Sequence, residues 1–227
     1  MLFDLRGRGR RRTVQVIYLT LAVLMGGGLV LFGIGGSVSG GLFDAIGLTG
    51  GGGGGQSANE QLVKQEKAAL RRIQANPADA TAWATVTRLR YQQAGQGSNY
   101  DPNTGQFTTA GRRELAKAAA AWRRYLALKP PKPDPNVAAL MVQAFGPLGL
   151  NQPKDGVLAA ETVAEARPSS QTFYQLAVFA YAAGQTRKGD LSGAKAISLA
   201  PKDQRAAVKA QIDAAKKARG FPSATGQ

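Results

Sequence analysis

The chain has 227 residues, with 29 Lys and Arg against 14 Asp and Glu, and it contains neither Cys nor His. The formal charge of +15 points to anionic surfaces or acidic partners. The missing side chains exclude thiol nucleophiles, disulfides, imidazole bases and the zinc sites built on those ligands. The carboxylates are scattered, with Glu161 and Glu165 the closest pair on a predicted helix, and no G-x-S-x-G, P-loop or G-x-G-x-x-G stands in a suitable context. An enzyme is therefore not expected, and no catalytic, cofactor-binding or metal-binding residue is assigned.

Residues 1–12 carry five arginines, Arg6, Arg8, Arg10, Arg11 and Arg12, followed by a run from Thr13 to Ile34 without a charged side chain. About 22 residues rising 1.5 Å each reach roughly 33 Å, enough to cross a hydrocarbon core of about 30 Å with some tilt. The sequence thus predicts a transmembrane helix over 13–36. Basic residues beside a span stay on the cytoplasmic side, so the N-terminus is expected inside and the rest outside. The rival reading is a cleaved signal peptide, with Val14 to Leu24 as its apolar region and small residues from Gly35 to Gly41. Gly36 and Gly40 form a lone G-x-x-x-G at the outer edge of the span.

Residues 37–56 read as a juxtamembrane segment and linker. Leu42, Phe43, Ile46 and Leu48 fall mostly on one helical face, as in a collar lying in the membrane interface. Six glycines follow from Gly50 to Gly55, a flexible tether with a root-mean-square reach of about 12–15 Å. Residues 57–227 are long enough for one domain with its own core. This part holds 24 Lys and Arg against 12 Asp and Glu, a basic surface suited to anionic lipid, wall polymers or acidic proteins. The plainer alternative is that pairs such as Arg112/Arg113 and Arg123/Arg124 solvate wet helix faces. Nucleic acid is not expected as a partner, because no binding motif appears and the topology keeps the domain outside.

Helical periodicity dominates this part, and no strand alternation is evident. Helices are predicted at 58–75, 79–94, 109–128, 135–146, 154–166, 169–184, 188–199 and 202–219. Asn76-Pro77 and Lys129-Pro130 act as stops, Gly95 and Gly184 as terminal residues, and Pro153 as a first-turn residue. Over Arg205 to Arg219, Val208, Ile212 and Ala215 are expected to face the preceding helices, while Lys209, Lys216 and Lys217 face water.

In Ser170 to Asp203, Phe173, Leu176, Ala177, Ala180 and Gly184 precede Gly189, Ala196, Ile197, Leu199 and Pro201 in a register that resembles the tetratricopeptide repeat family. Gly193 departs from it, standing where the family has a large apolar residue. Ala118, Trp122, Leu126, Leu128 and Pro130 match a second helix, and Trp83 to Gly95 would be its partner, with Tyr91 one residue out of step. Pro77, Pro130, Pro168 and Pro201 close the units at gaps of 53, 38 and 33 residues, the first enlarged by the polar insertion Gly95 to Gly111. The middle repeat, with Leu140 and Val163, is degenerate.

The resemblance implies an all-α protein: one transmembrane helix followed by a short α-solenoid of helical hairpins over 57–227, with a concave face lined by first helices. Transferring the family's groove positions places Arg88, Tyr91 and Gln92, then Met141 and Phe145, then Tyr174, Val178 and Tyr181 on that face. A core role is the competing reading, above all for Phe145 and Val178. The layout is similar to membrane-anchored repeat proteins that accompany the bacterial Sec translocon. It implies a protein-binding scaffold in the bacterial cytoplasmic membrane, single-pass with its domain outside, that assists export or assembly of envelope proteins. The alternative is an envelope structural protein whose basic surface binds anionic cell-wall or lipid components.

Overall fold

The computed structural model describes residues 55–218 and Phe221, with side chains from Glu60 onward. The predicted span, the collar and most of the glycine run lie outside the described residues. Among the described residues, no helix is long and apolar enough to cross a membrane.

The described part is all-α. Its helices are α1 (Gly55–Ala75), α2 (Ala80–Ala94), α3 (Thr109–Ala127), α4 (Pro135–Phe145), α5 (Pro153–Ala166), α6 (Ser170–Ala182), α7 (Thr186–Leu199) and α8 (Arg205–Ala218). Several starts have a local cause. Asp79 accepts from the Ala82 amide at 2.9 Å to cap α2, and Asp134 accepts from the Asn136 amide at 2.8 Å ahead of Pro135. Ser169 and Thr172 form a capping box at α6.

The polar insertion between α2 and α3 contains strands, where no strand alternation was evident in the sequence. It folds as a short 3-10 turn (Gly97–Asn99) and a minimal antiparallel hairpin, β1 (Tyr100–Asp101) with β2 (Gln106–Phe107). Asp101 accepts from the Asn103 amide and the Thr104 hydroxyl, each at 2.9 Å. Gly105 supplies the positive φ of 66° that closes the turn. The Tyr100 and Phe107 rings meet edge to face with centroids 5.5 Å apart.

Consecutive helices pack on one another, and contacts between every second helix sort them into two layers. In one layer, Tyr91 on α2 donates to Gln143 on α4 at 2.7 Å, and α8 packs against α6 through Ile212, Ala215, Ala177 and Tyr181. In the other, Ala69 of α1 and Ala121 of α3 share a small core with Val86. Arg123 on α3 pairs with Asp155 on α5 at 2.7 Å, and Lys188 on α7 pairs with Glu161 on α5 at 2.7 Å. Trp122 of α3 is sealed in the main core beside Tyr125, Met141 and Phe145.

Helix separation is set by small residues. A Cβ on Gly156 of α5 would lie 2.1 Å from Cε1 of Phe179 on α6, so the ring rests on the α5 backbone. Gly156→Ala should therefore destabilise the protein by about 1–3 kcal/mol through overpacking. Adding Phe179→Leu should recover part of that loss, as measured by denaturant unfolding.

Candidate functional site

The eight residues expected to line a groove do not come together as one open surface. Met141 and Phe145 are both 0 % exposed and Tyr181 only 5 %. Their expected place on an open concave face is thereby corrected. The cause for α4 is that Val137, Ala138, Leu140, Met141, Val142, Ala144 and Phe145 are all buried, which leaves that helix almost no free side. The cause for α6 is α8. Tyr174 and Val178 are half-buried and pack, with Val208, against the cluster formed by Tyr181, Ile212 and Ala215.

Gly193 explains how α8 gets so near. A Cβ there would lie 2.7 Å from Cγ2 of Ile212, so the position where the repeat pattern expects a large residue is filled by a side chain from the next helix. Val208, Ile212 and Ala215 thus face inward as the amphipathic pattern predicts. The Tyr181 hydroxyl donates to Asp190 on α7 at 2.9 Å, and Lys216 of α8 donates to the same carboxylate oxygen at 2.6 Å. Lys216 and Tyr181 together hold the Asp190 carboxyl below the usual aspartate range. Burial, reinforced by the Asp190 carboxylate, pushes the Tyr181 hydroxyl well above its ordinary value. The three groups form a buckle across α6, α7 and α8.

The remaining groove candidates are divided. Arg88 is exposed, while Tyr91 and Gln92 are half-buried. The Tyr91 hydroxyl is committed to Gln143, and burial pushes its pKa up to about 12.

A different surface is open. Between α5 and α7 lies a depression of about 530 Å³ with Ala164, Phe173 and Leu176 among its lining residues. Leu191 beside it is 65 % exposed, and Leu158 on α5 is 50 % exposed. Its rim carries Glu161, Glu165, Arg187 and Lys188, with Lys188 Nζ donating to both Glu161 oxygens at 2.7 and 2.9 Å. Glu161 and Glu165 are thus rim charges, one of them already paired. The sequence carried a signal for Leu191: the buried residues of α7 are Gly189, Ser192, Gly193 and Ala196, and Leu191 lies nearly opposite that stripe on a helical wheel. An exposed leucine opposite a small-residue stripe is a large apolar residue placed away from the core. No family model matches the chain, and no similar curated protein or solved structure is found.

Two measurements check the assignment of Tyr181 to the core. Tyr181→Ala should cost about 3–5 kcal/mol of stability, as expected for a large buried ring. The Asp190 carboxyl is depressed in the folded state, so its stabilisation is present above the ordinary aspartate pKa and is lost as pH falls through the folded value. The melting-temperature gap between the native chain and Asp190→Asn should be complete above about pH 4 and close below it.

Proposed function

We propose that this chain is a membrane-tethered scaffold for protein–protein interaction, with its helical domain on the extracytoplasmic side of a bacterial cytoplasmic membrane. The domain is read as a short solenoid like that of the tetratricopeptide repeat family. What supports the solenoid reading is the pairing of α2 with α3, α4 with α5 and α6 with α7, each pair resting on the next and the last covered by α8. The membrane tether rests on the arginine cluster ahead of the uncharged run from Thr13 to Ile34.

The observation that carries the binding function is Leu191, 65 % exposed beside a depression lined by Phe173 and Leu176. A large aliphatic side chain turned to water beside an apolar hollow with a polar rim fits a protein contact better than a solvated face. The partner class is an apolar or amphipathic polypeptide segment, as would be offered by an envelope protein during export or assembly. The ligand enters between two second helices, in place of the groove of first helices that the family resemblance implied.

A photo-crosslinking residue at position 187, in cells making the full chain, should give discrete protein adducts. Leu191→Asp should reduce them at least about tenfold, the equivalent of roughly 1.4 kcal/mol. Adducts should persist at 1 M salt, where screening confines exposed ionic contacts to about 3 Å. Adducts that ignore Leu191→Asp and vanish with salt would replace the apolar site by an ionic one. Topology has its own check. Protease added outside, after opening any outer barrier, should digest residues 57–227 and spare those before Thr13, whereas a protected domain would reverse the orientation.

A further inference from the structure

Seven of the chain's carboxylates are consumed in ion pairs within the described residues, which leaves many cations without a carboxylate partner. They are not spread evenly. On α1, the buried and half-buried face is Leu62, Glu66, Ala69, Leu70 and Ile73. Lys64, Lys67 and Arg71, at i, i+3 and i+7, occupy the opposite face and are exposed. On α3, Arg113, Lys117 and Arg124 are exposed on the flank toward α1. That flank is fixed by Ala121, which joins Ala69 of α1 in one small core, and by Lys117, whose charge acts on Glu66 of α1. Two helices of the same layer thus carry six exposed cations, three on each. The opposing charges are Glu60, at the N-terminal end of the α1 stripe, and Glu114, which pairs with Lys117 at 2.7 Å.

The position of this face in the chain selects its partner. α1 begins at Gly55, the last of the six consecutive glycines, and Ile34, the end of the apolar run, stands only 21 residues earlier. With the span proposed above, a linker of that length would keep α1 within a few tens of ångströms of the bilayer, so any attraction to lipid would act at high effective concentration. A juxtamembrane cationic cluster on a rigid helix pair complements an anionic headgroup layer. We propose that the α1–α3 face docks the domain on anionic phospholipid, laying these two helices against the membrane from which the chain is tethered. The inference rests on the tether proposed above.

The absence of cysteine in the chain makes single-site labelling clean. The full chain carrying a dye at Ala120→Cys, between the α3 cations, or at Ala210→Cys on the exposed side of α8, is reconstituted into vesicles bearing a headgroup quencher. The vesicles are phosphatidylcholine alone or phosphatidylcholine with phosphatidylglycerol. Flotation with both vesicle types reports the tether. The dye at 120 should be quenched several-fold more in the anionic vesicles, the dye at 210 should not change, and raised salt should abolish the difference. Lys64→Gln, Lys67→Gln, Arg113→Gln and Arg124→Gln together should remove the effect, whereas Lys195→Gln with Lys202→Gln should leave it intact. Flotation without any lipid-dependent quenching at 120 would overturn the docking while sparing the tether. Flotation only with anionic vesicles would sink the tether and leave the cationic face supported. A dye response to soluble polyglutamate but to neither vesicle would give the face to an acidic polypeptide instead and overturn the proposal.

Discussion

Close approach between helices, allowed by small residues at their contacts, is the constraint on which the rest of this domain depends. Phe179 lies against the backbone of α5 at Gly156, Tyr181 against α7 at Gly189, and Ile212 against α7 at Gly193. In each case one helix supplies a flat surface and its neighbour a single large side chain. Ala82, Ala118, Ala138, Ala144, Ala159, Ala177 and Ala180 are likewise buried, so the core is a thin set of large residues in an alanine matrix. Such packing leaves little room for adjustment, because an added methyl at these glycines meets a neighbouring side chain rather than space.

That economy accounts for what the sequence could and could not reveal. Helix limits were legible because their causes are local: Pro135 and Pro153 enter first turns, Asp79 and Ser169 cap, and Gly184 closes α6 with φ of 76°. The hairpin at Tyr100–Phe107 was not legible, since two-residue strands offer no alternation to read. The groove failed for a tertiary reason. Spacing assigns a residue to a helix face but does not say whether another helix covers that face, and α4 and α6 are covered on faces a repeat pattern would leave open. Gly193 was visible as an anomaly in the repeat, yet its meaning required Ile212, which belongs to a different helix. Leu191 is the converse case: its exposure was implied by the small-residue stripe of its own helix.

Electrostatics organises the joints between helices more than the core. Burial raises the pKa of Glu66, but hydrogen bonds from Gln93 at 2.9 Å and Arg90 at 2.7 Å outweigh it, and the carboxyl sits below its ordinary range. The half-buried acid therefore stays charged and fixes the rotation of α1 on α2. Lys64, Lys67 and Arg71 face water because Glu66 and Ala69 face inward. The Arg123–Asp155 pair, which raises the Arg123 pKa through its hydrogen bond, registers α3 against the start of α5 in a similar way. Such pairs contribute modestly to stability when half-exposed. Their larger effect is to select one rotation for a helix whose alanine-rich surface would pack almost equally well in several.

The outer layer of α1, α3, α5 and α7 consequently changes character along its length. At the α1–α3 end Glu66 is turned inward, Glu114 is paired, and Glu60 is the exposed acid among cations that dominate the surface. At the α5–α7 end Glu161 and Lys188 neutralise each other at the rim, and Leu158 and Leu191 stand uncovered. In the other layer, the Tyr91–Gln143 bond spends the polar reach of α2, and α8 covers α6. Arg88 is the one residue of the expected groove that is exposed there. The family resemblance directs attention to the layer of first helices, whereas Leu158 and Leu191 are exposed on the second. Among the described residues, the ionic end and the apolar end on which the two proposals rest therefore lie on one row of helices.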